Sequence, residues 1–203
     1  MDIKKFNLLN VGVGGQGVIR AVQILSHAAL LDGYKVRTAE THGMAQRGGS
    51  VSSHFRFGSE VEGPLIPRGL TDVIMAFEAS EAVRSFNYAG PNTFFFINED
   101  LIIPPMIHQL GMEYPTIEEI QVFLKSVSLN IHFINANKIA NQAGNLRTMN
   151  VVMLGVLSGS GKIPLNEETL LRAIMKFVPN KAQDVNRIAF NLGIEQGKSL
   201  GVK

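Results

Sequence analysis

The sequence predicts an α/β fold with three layers, helices packing on both faces of a mainly parallel sheet. Three observations carry this expectation. An apolar run at residues 8–13 breaks into glycines at Gly12, Gly14, Gly15 and Gly17, then continues as an alanine-rich helical pattern. Further short apolar runs alternate with helix-period segments along the chain, the order that builds parallel strands under helices. No repeat, low-complexity tract or linker interrupts the 203 residues, so 1–203 reads as a single α/β/α, Rossmann-like domain.

In the first unit, Leu8, Leu9, Val11 and Val13 suit a buried strand. The glycines after it permit backbone angles closed to other residues. A helix is expected over residues 16–31, with Val18, Ile19, Val22, Leu25, Ala28 and Ala29 available for burial and Asp32-Gly33 as its stop. Strand, glycine turn and helix leave free N–H groups at a helix N-terminus, where an anion can be held. Gly12, Gly14 and Gly17 also match the dinucleotide fingerprint, and Glu40, after the next strand at residues 35–39, has the type and spacing of its ribose-binding acid. Three readings stay open: a tight turn that only lets helix and sheet pack, a site for a phosphate-bearing ligand, or a nicotinamide or flavin dinucleotide site.

A second glycine-rich stretch, ETHGMAQRGGS, follows at residues 40–50 and reads as a loop. It would leave the same end of the sheet as the first turn, so the two are expected to meet. Arg47 offers a planar fork for carboxylate or phosphate, or a clamp on backbone carbonyls. Gly48 and Gly49 leave room for a ligand or another chain to approach. Glu40, His42 and Gln46 add polar contacts, and Met44 suits a subunit contact.

Residues 51–57 then alternate: Val51, Ser53, Phe55 and Phe57 share one face, Ser52, His54 and Arg56 the other. This predicts a half-exposed strand, near an edge or antiparallel, with His54 in solvent. A loop with Gly63-Pro64 and Pro67 leads to a strand at 72–77, a short helix at 78–87 and a fully buried strand at 92–98 that holds Phe94, Phe95 and Phe96. Residues 102–115 carry three prolines and read as irregular. Thr116 and Glu119 form a capping box for a helix at 117–127, and 130–134 is expected to be the last central strand. Helices are expected at 136–143, 146–158, 167–177 and 181–197, with Asn166 capping the third of these and Gly155 marking a close backbone approach. The segment Gly159-Ser160-Gly161-Lys162 fails as a phosphate loop, because Val156 occupies the position of the first glycine and Ile163 that of the hydroxyl residue.

Composition excludes several classes. A net charge of +2 gives no case for nucleic acid or an anionic membrane. There is no cysteine, hence no disulfide, cysteine nucleophile or cysteine-ligated iron–sulfur cluster. The five histidines, His27, His42, His54, His108 and His132, have no metal spacing, and no serine sits in a nucleophile elbow. No catalytic residue is assigned. The opening MDIKKFNLLN has no signal-type apolar core, which together with the absence of cysteine leads to an expected cytoplasmic location.

GVGGQG, ETHGMAQRGGSV and, at residues 144–155, GNLRTMNVVMLG together resemble the small subunit, or gamma-type domain, of the 2-oxoacid:ferredoxin oxidoreductases, most nearly the members acting on indolepyruvate. The likeness runs over nearly the whole chain. It matches Gly12, Gly14, Gly15, Gln16 and Gly17 to the glycine turn, and His42, Gly43, Met44, Gln46, Arg47, Gly48 and Gly49 to the second signature. It implies a complex that oxidatively decarboxylates a 2-oxo acid with coenzyme A, yielding an acyl-CoA, CO2 and reduced ferredoxin. It also implies that thiamine diphosphate and iron–sulfur clusters lie on a large partner subunit, since the thiamine signature is absent here. The alternatives are a free-standing dinucleotide-binding oxidoreductase and an assembly subunit with no ligand.

Overall fold

The computed structural model describes residues 3–42, 48–103, 111 and 113–202. Gly43, Met44, Gln46, Arg47 and His108 lie outside them, as does the side chain of His42. Six strands, β1 (Phe6–Val13), β2 (Val36–His42), β3 (Ser50–Phe57), β4 (Thr71–Ala76), β5 (Ala89–Asn98) and β6 (Ile131–Ile134), form one sheet in the order β2-β3-β1-β4-β5-β6. β1, β4, β5 and β6 pair in parallel, whereas β3 runs antiparallel to both β1 and β2. The reversal follows from length: the link from β2 to β3 is too short for a crossover, so the two must form a hairpin.

Helices α1 (Val18–Leu31), α4 (Ala136–Gln142), α5 (Met149–Gly159), α6 (Glu167–Phe177) and α7 (Gln183–Ser199) bury one face of the sheet. The short α2 (Ala79–Arg84) and α3 (Ile117–Lys125) cover the other, together with Ile66. The Thr116–Glu119 capping box opens α3, and the Asn166 side chain accepts from the backbone N–H groups of Glu168 and Thr169 to open α6. α5 is buried on every side because it lies between the sheet and α7. Its Gly155 faces Gly193 of α7: a Cβ at Gly155 would lie 2.9 Å from the Gly193 Cα and closer still to the Phe190 carbonyl oxygen. The close approach expected at Gly155 is therefore real, and a second glycine pair, Gly159 and Gly197, extends it one turn along.

Several boundaries and one environment differ from the sequence expectation. Glu40, Thr41 and His42 are the end of β2 rather than loop. β6 pairs with β5 alone and is an edge strand, not a central one. β3 is antiparallel to both neighbours and lies next to the edge strand β2, as expected, but it is not half-exposed. It sits inside the sheet, and His54 and Arg56 are 3% and 6% exposed. The chain after β3 folds back over these polar side chains and supplies their partners. The Ile66 N–H donates to His54 Nδ1 at 3.2 Å, and the ring packs edge-on against Tyr88. Arg56 donates to the carbonyls of Gly63 and Leu65 and to the Asn7 side chain.

Gly155→Ala is expected to destabilise the protein by about 1–3 kcal/mol, as overpacking against an immovable backbone exceeds the gain in helix propensity. Urea unfolding checks this, with the exposed Gly161→Ala unsuitable as a control because its φ is +69°.

Burial, and secondarily Arg56, push the His54 pKa below its ordinary value. The unfolded chain then binds a proton that the folded chain refuses. Stability is complete above the unfolded pKa of about 6.5 and falls as pH drops below it toward the folded value. His27 and His132 are lowered as well and act in the same direction. Unfolding curves from pH 7.5 to 5 should lose stability in the wild type and lose less in His54→Asn, which keeps an acceptor near the Nδ1 position without the titration.

Candidate functional site

The two glycine segments do meet. β1 and β3 pair along their whole length, ending at Val13 opposite Ser50. The Gly14 N–H then donates to the Gly49 carbonyl at 2.9 Å, and the Gly48 N–H to the Gly14 carbonyl at 3.5 Å. Gly15 has φ of 105° and Gly17 of 83°, left-handed values that require glycine, and Gly17 is the N-cap of α1. Gly12 serves packing: a Cβ there would stand 2.8 Å from both the Gln16 Oε1 and the Val18 Cγ2.

Gln16 locks the turn from inside. Its Oε1 accepts from the Val13 N–H and its Nε2 donates to the Phe77 carbonyl, both at 2.8 Å. The Asn98 side chain donates to the same Phe77 carbonyl and accepts from the Ala136 N–H. One carbonyl beyond β4 thus ties the turn after β1 to the end of β5 and the start of α4.

A cleft of about 460 Å³ opens beside the turn. It is lined by Gly15, Gln16 and Gly17 of the turn, by Asp100 and Ile102 after β5, and by Asn137, Leu146, Arg147, Met149 and Asn150. It lies past the C-terminal end of β1. From β1 the chain crosses through α1 toward β2, and from β4 through α2 toward β5, on opposite sides. Open α/β sheets bind ligands at such a reversal. α1 has no side-chain cap and no acid in its first turn, so its first N–H groups carry their full positive end. Arg147 adds a charged fork on the 3₁₀ turn Leu146–Thr148, which the Asn145 side chain caps by accepting the Arg147 backbone N–H. The arrangement suits a phosphate or carboxylate.

Behind the turn lie two buried carboxyl groups on α2. Glu78 is the N-cap; it accepts from the Ser80 hydroxyl, the Glu81 N–H, the Tyr114 hydroxyl and the Ile102 N–H. Glu81 accepts from the Ser50 hydroxyl and faces Arg84 at 3.4 Å. Burial raises the Glu81 pKa, the Ser50 hydrogen bond and Arg84 oppose that rise, and Glu78 adds to it.

Glu40 stands apart from the turn. It pairs with Ser53, which pairs with Asn10, so it is two strands and several residues removed from Gly14. Strand spacings of about 4.8 Å and rises of about 3.3 Å per residue put it beyond reach of a ribose held over the turn. The inserted strand β3 thereby removes the geometry of the dinucleotide fingerprint while keeping its glycine spacing. Among the described residues no group of three or more His, Asp or Glu gathers as a metal site, and no helix is long and apolar enough to cross a membrane.

The family model described as pyruvate ferredoxin/flavodoxin oxidoreductase matches residues 7–196. The chain belongs to this family. A relative within reach is the indolepyruvate oxidoreductase subunit IorB of Thermococcus kodakarensis, 42% identical over 200 residues that cover 98% of each chain. The fold recurs in the pyruvate oxidoreductase subunit PORC of Thermotoga maritima, with a TM-score of 0.67, 26% identity and coverage of 95% and 96% of the two chains. It recurs also in a 2-oxoglutarate:ferredoxin oxidoreductase of Magnetococcus marinus, with a TM-score of 0.74 and 22% identity, where 98% of this chain corresponds to 32% of a longer one. The family fold thus occurs both as a separate chain and as one part of a larger chain.

Sequence reasoning missed Arg147, Asn150 and Asn137, and both carboxyl groups of α2. Arg147 lies in the GNLRTMN segment, whose likeness to the family was the one available signal. Glu78 and Glu81 gave none, because acids on a short helix read as a solvated face.

Gln16→Glu should destabilise the ligand-free chain by about 1–3 kcal/mol, since a carboxylate accepts from Val13 but opposes the Phe77 carbonyl. Denaturant midpoints measure this, and an unchanged midpoint would show that Gln16 does not hold the turn.

Proposed function

We propose that this chain is the small subunit of a 2-oxoacid:ferredoxin oxidoreductase acting on indolepyruvate or a related arylpyruvate. The observation that carries the reading is the 42% identity over 98% of both chains to an indolepyruvate oxidoreductase subunit. The complex oxidatively decarboxylates the 2-oxo acid with coenzyme A, giving an acyl-CoA, CO2 and reduced ferredoxin. Thiamine diphosphate, which supplies carbanion stabilisation, and the iron–sulfur clusters belong to the large partner subunit; this chain has no cysteine with which to hold a cluster. The complex works in the cytoplasm, and residues 1–203 act in it as one domain.

The share of this chain is the handling of coenzyme A rather than electron transfer. The open N-terminus of α1, the backbone of Gly14, Gly15 and Gly17, and Arg147 suit the phosphates of the cosubstrate. Gly48 and Gly49 border the same end of the sheet. In this reading Arg47, with His42, Gly43, Met44 and Gln46, joins them from the second signature. The position of Glu40 counts against a free-standing dinucleotide enzyme.

The test is reconstitution with the large subunit that co-purifies with the chain. The isolated chain should give no turnover with indolepyruvate, coenzyme A, thiamine diphosphate and a viologen acceptor, and the complex should. Arg147→Ala should raise KM for coenzyme A about tenfold, the scale of one charge-assisted contact at a solvent-accessible site. Turnover by the isolated chain would overturn the division of labour, and an unchanged KM would remove coenzyme A from this cleft.

A further inference from the structure

We propose that Glu81 is a positioning residue, holding the Gly14–Gly49 clasp through Ser50 so that the glycine turn is set for its ligand. The proposal rests on the coenzyme A reading above. Glu81 is 5% exposed and does not line the cleft. Its Oε2 accepts from the hydroxyl of Ser50, the first residue of β3 and the register partner of Val13. The next residue back, Gly49, accepts the Gly14 N–H. One carboxyl group is thus joined through two hydrogen bonds and one peptide unit to the residue that opens the glycine turn.

The same turn of helix also holds a second residue of the cleft lining. The Glu81 N–H donates to Glu78 Oε2 at 3.0 Å, and Glu78 Oε1 accepts from the Ile102 N–H at 3.3 Å. Ile102 lines the same cleft as Gly15 and Gly17. Through these two carboxyl groups the start of α2, a helix of six residues, ties Ser50 beside the clasp to Ile102 in the cleft lining. Arg84 is mostly solvent-exposed and 3.4 Å away, so the neutral hydroxyl of Ser50 is the closer of the two partners. Burial costs an acid at this position stability. A group kept there at such a cost, with its contact directed at the clasp, is suited to setting geometry.

The test uses Ser50→Ala, Glu81→Ala and Glu81→Gln in the reconstituted complex and in the free chain. In the free chain, amide exchange at Gly14 and Gly48 should quicken about tenfold in Ser50→Ala and Glu81→Ala, as local opening becomes easier. In the complex, both should raise KM for coenzyme A about fivefold with kcat retained. Glu81→Gln, whose amide oxygen still accepts from Ser50, should restore most of both losses. The double variant Ser50→Ala/Glu81→Ala should be no worse than Glu81→Ala alone, because the two act through one contact. Unchanged exchange, or additive effects, would overturn the proposal. Quickened exchange with an unchanged KM would overturn the positioning role while Arg147→Ala still reports on coenzyme A. If Arg147→Ala also leaves KM unchanged, the coenzyme A reading has failed and the proposal with it. Ser50→Ala removes a single hydroxyl, so the test stands even if Glu81→Ala does not fold.

Discussion

The site depends on the antiparallel pairing of β1 with β3. Eight residues of each strand pair in unbroken register, from Phe6 opposite Phe57 to Val13 opposite Ser50. Because side chains alternate, a slip by one residue would turn Phe55 and Phe57 out of the core and bring Arg56 into it. The buried face therefore fixes the register, and the register fixes which glycines meet. Gly14 faces Gly49 because Phe57 faces Phe6, at the far end of the sheet. Packing energy gathered at one end of a strand pair sets backbone geometry at the other.

The same inserted strand separates this fold from the dinucleotide-binding arrangement its first glycines suggest. In that arrangement the second strand lies beside the first, and its terminal acid reaches the ligand over the glycine turn. Here β3 occupies the neighbouring place and pushes β2 to the edge. What the turn keeps is its local chemistry: left-handed glycines, an uncapped helix start and room for a ligand. What it gains is a second glycine segment in direct hydrogen-bond contact.

Much of this was legible in the residues. The capping box at Thr116, the cap at Asn166, the close approach at Gly155 and the meeting of the two glycine segments all follow from local rules. Each depends on a few adjacent residues or on the sense of a strand. The polar side of β3 was not legible. Alternation of Ser52, His54 and Arg56 with apolar residues ordinarily marks a solvated face. Here the carbonyls of Gly63 and Leu65 satisfy Arg56, and the N–H of Ile66 satisfies His54, inside the protein. A strand pattern records which groups need water or a partner, and it cannot tell the two apart. Glu78 and Glu81 escaped for the same reason: their partners, Ile102, Tyr114 and Ser50, lie far along the chain.

That distinction bears on what a chain with no cysteine can contribute to an oxidoreductase. The chain has no cysteine, and its notable chemistry is a cleft lined by the glycine turn, one guanidinium, three amide side chains and the Asp100 carboxylate. Such groups are suited to binding and orienting a ligand. Orientation demands rigidity, and the cleft obtains it from long-range contacts at its rear. Gln16 and Asn98 share the Phe77 carbonyl, Glu78 holds Ile102, and Glu81 holds Ser50. All of these buried polar contacts lie within the described part of this one chain. These contacts hold the described residues behind the cleft, and Arg147 is exposed at its lining. The contacts that fix the turn thus lie within the fold itself, and that fold occurs both as a separate chain and as part of a longer one.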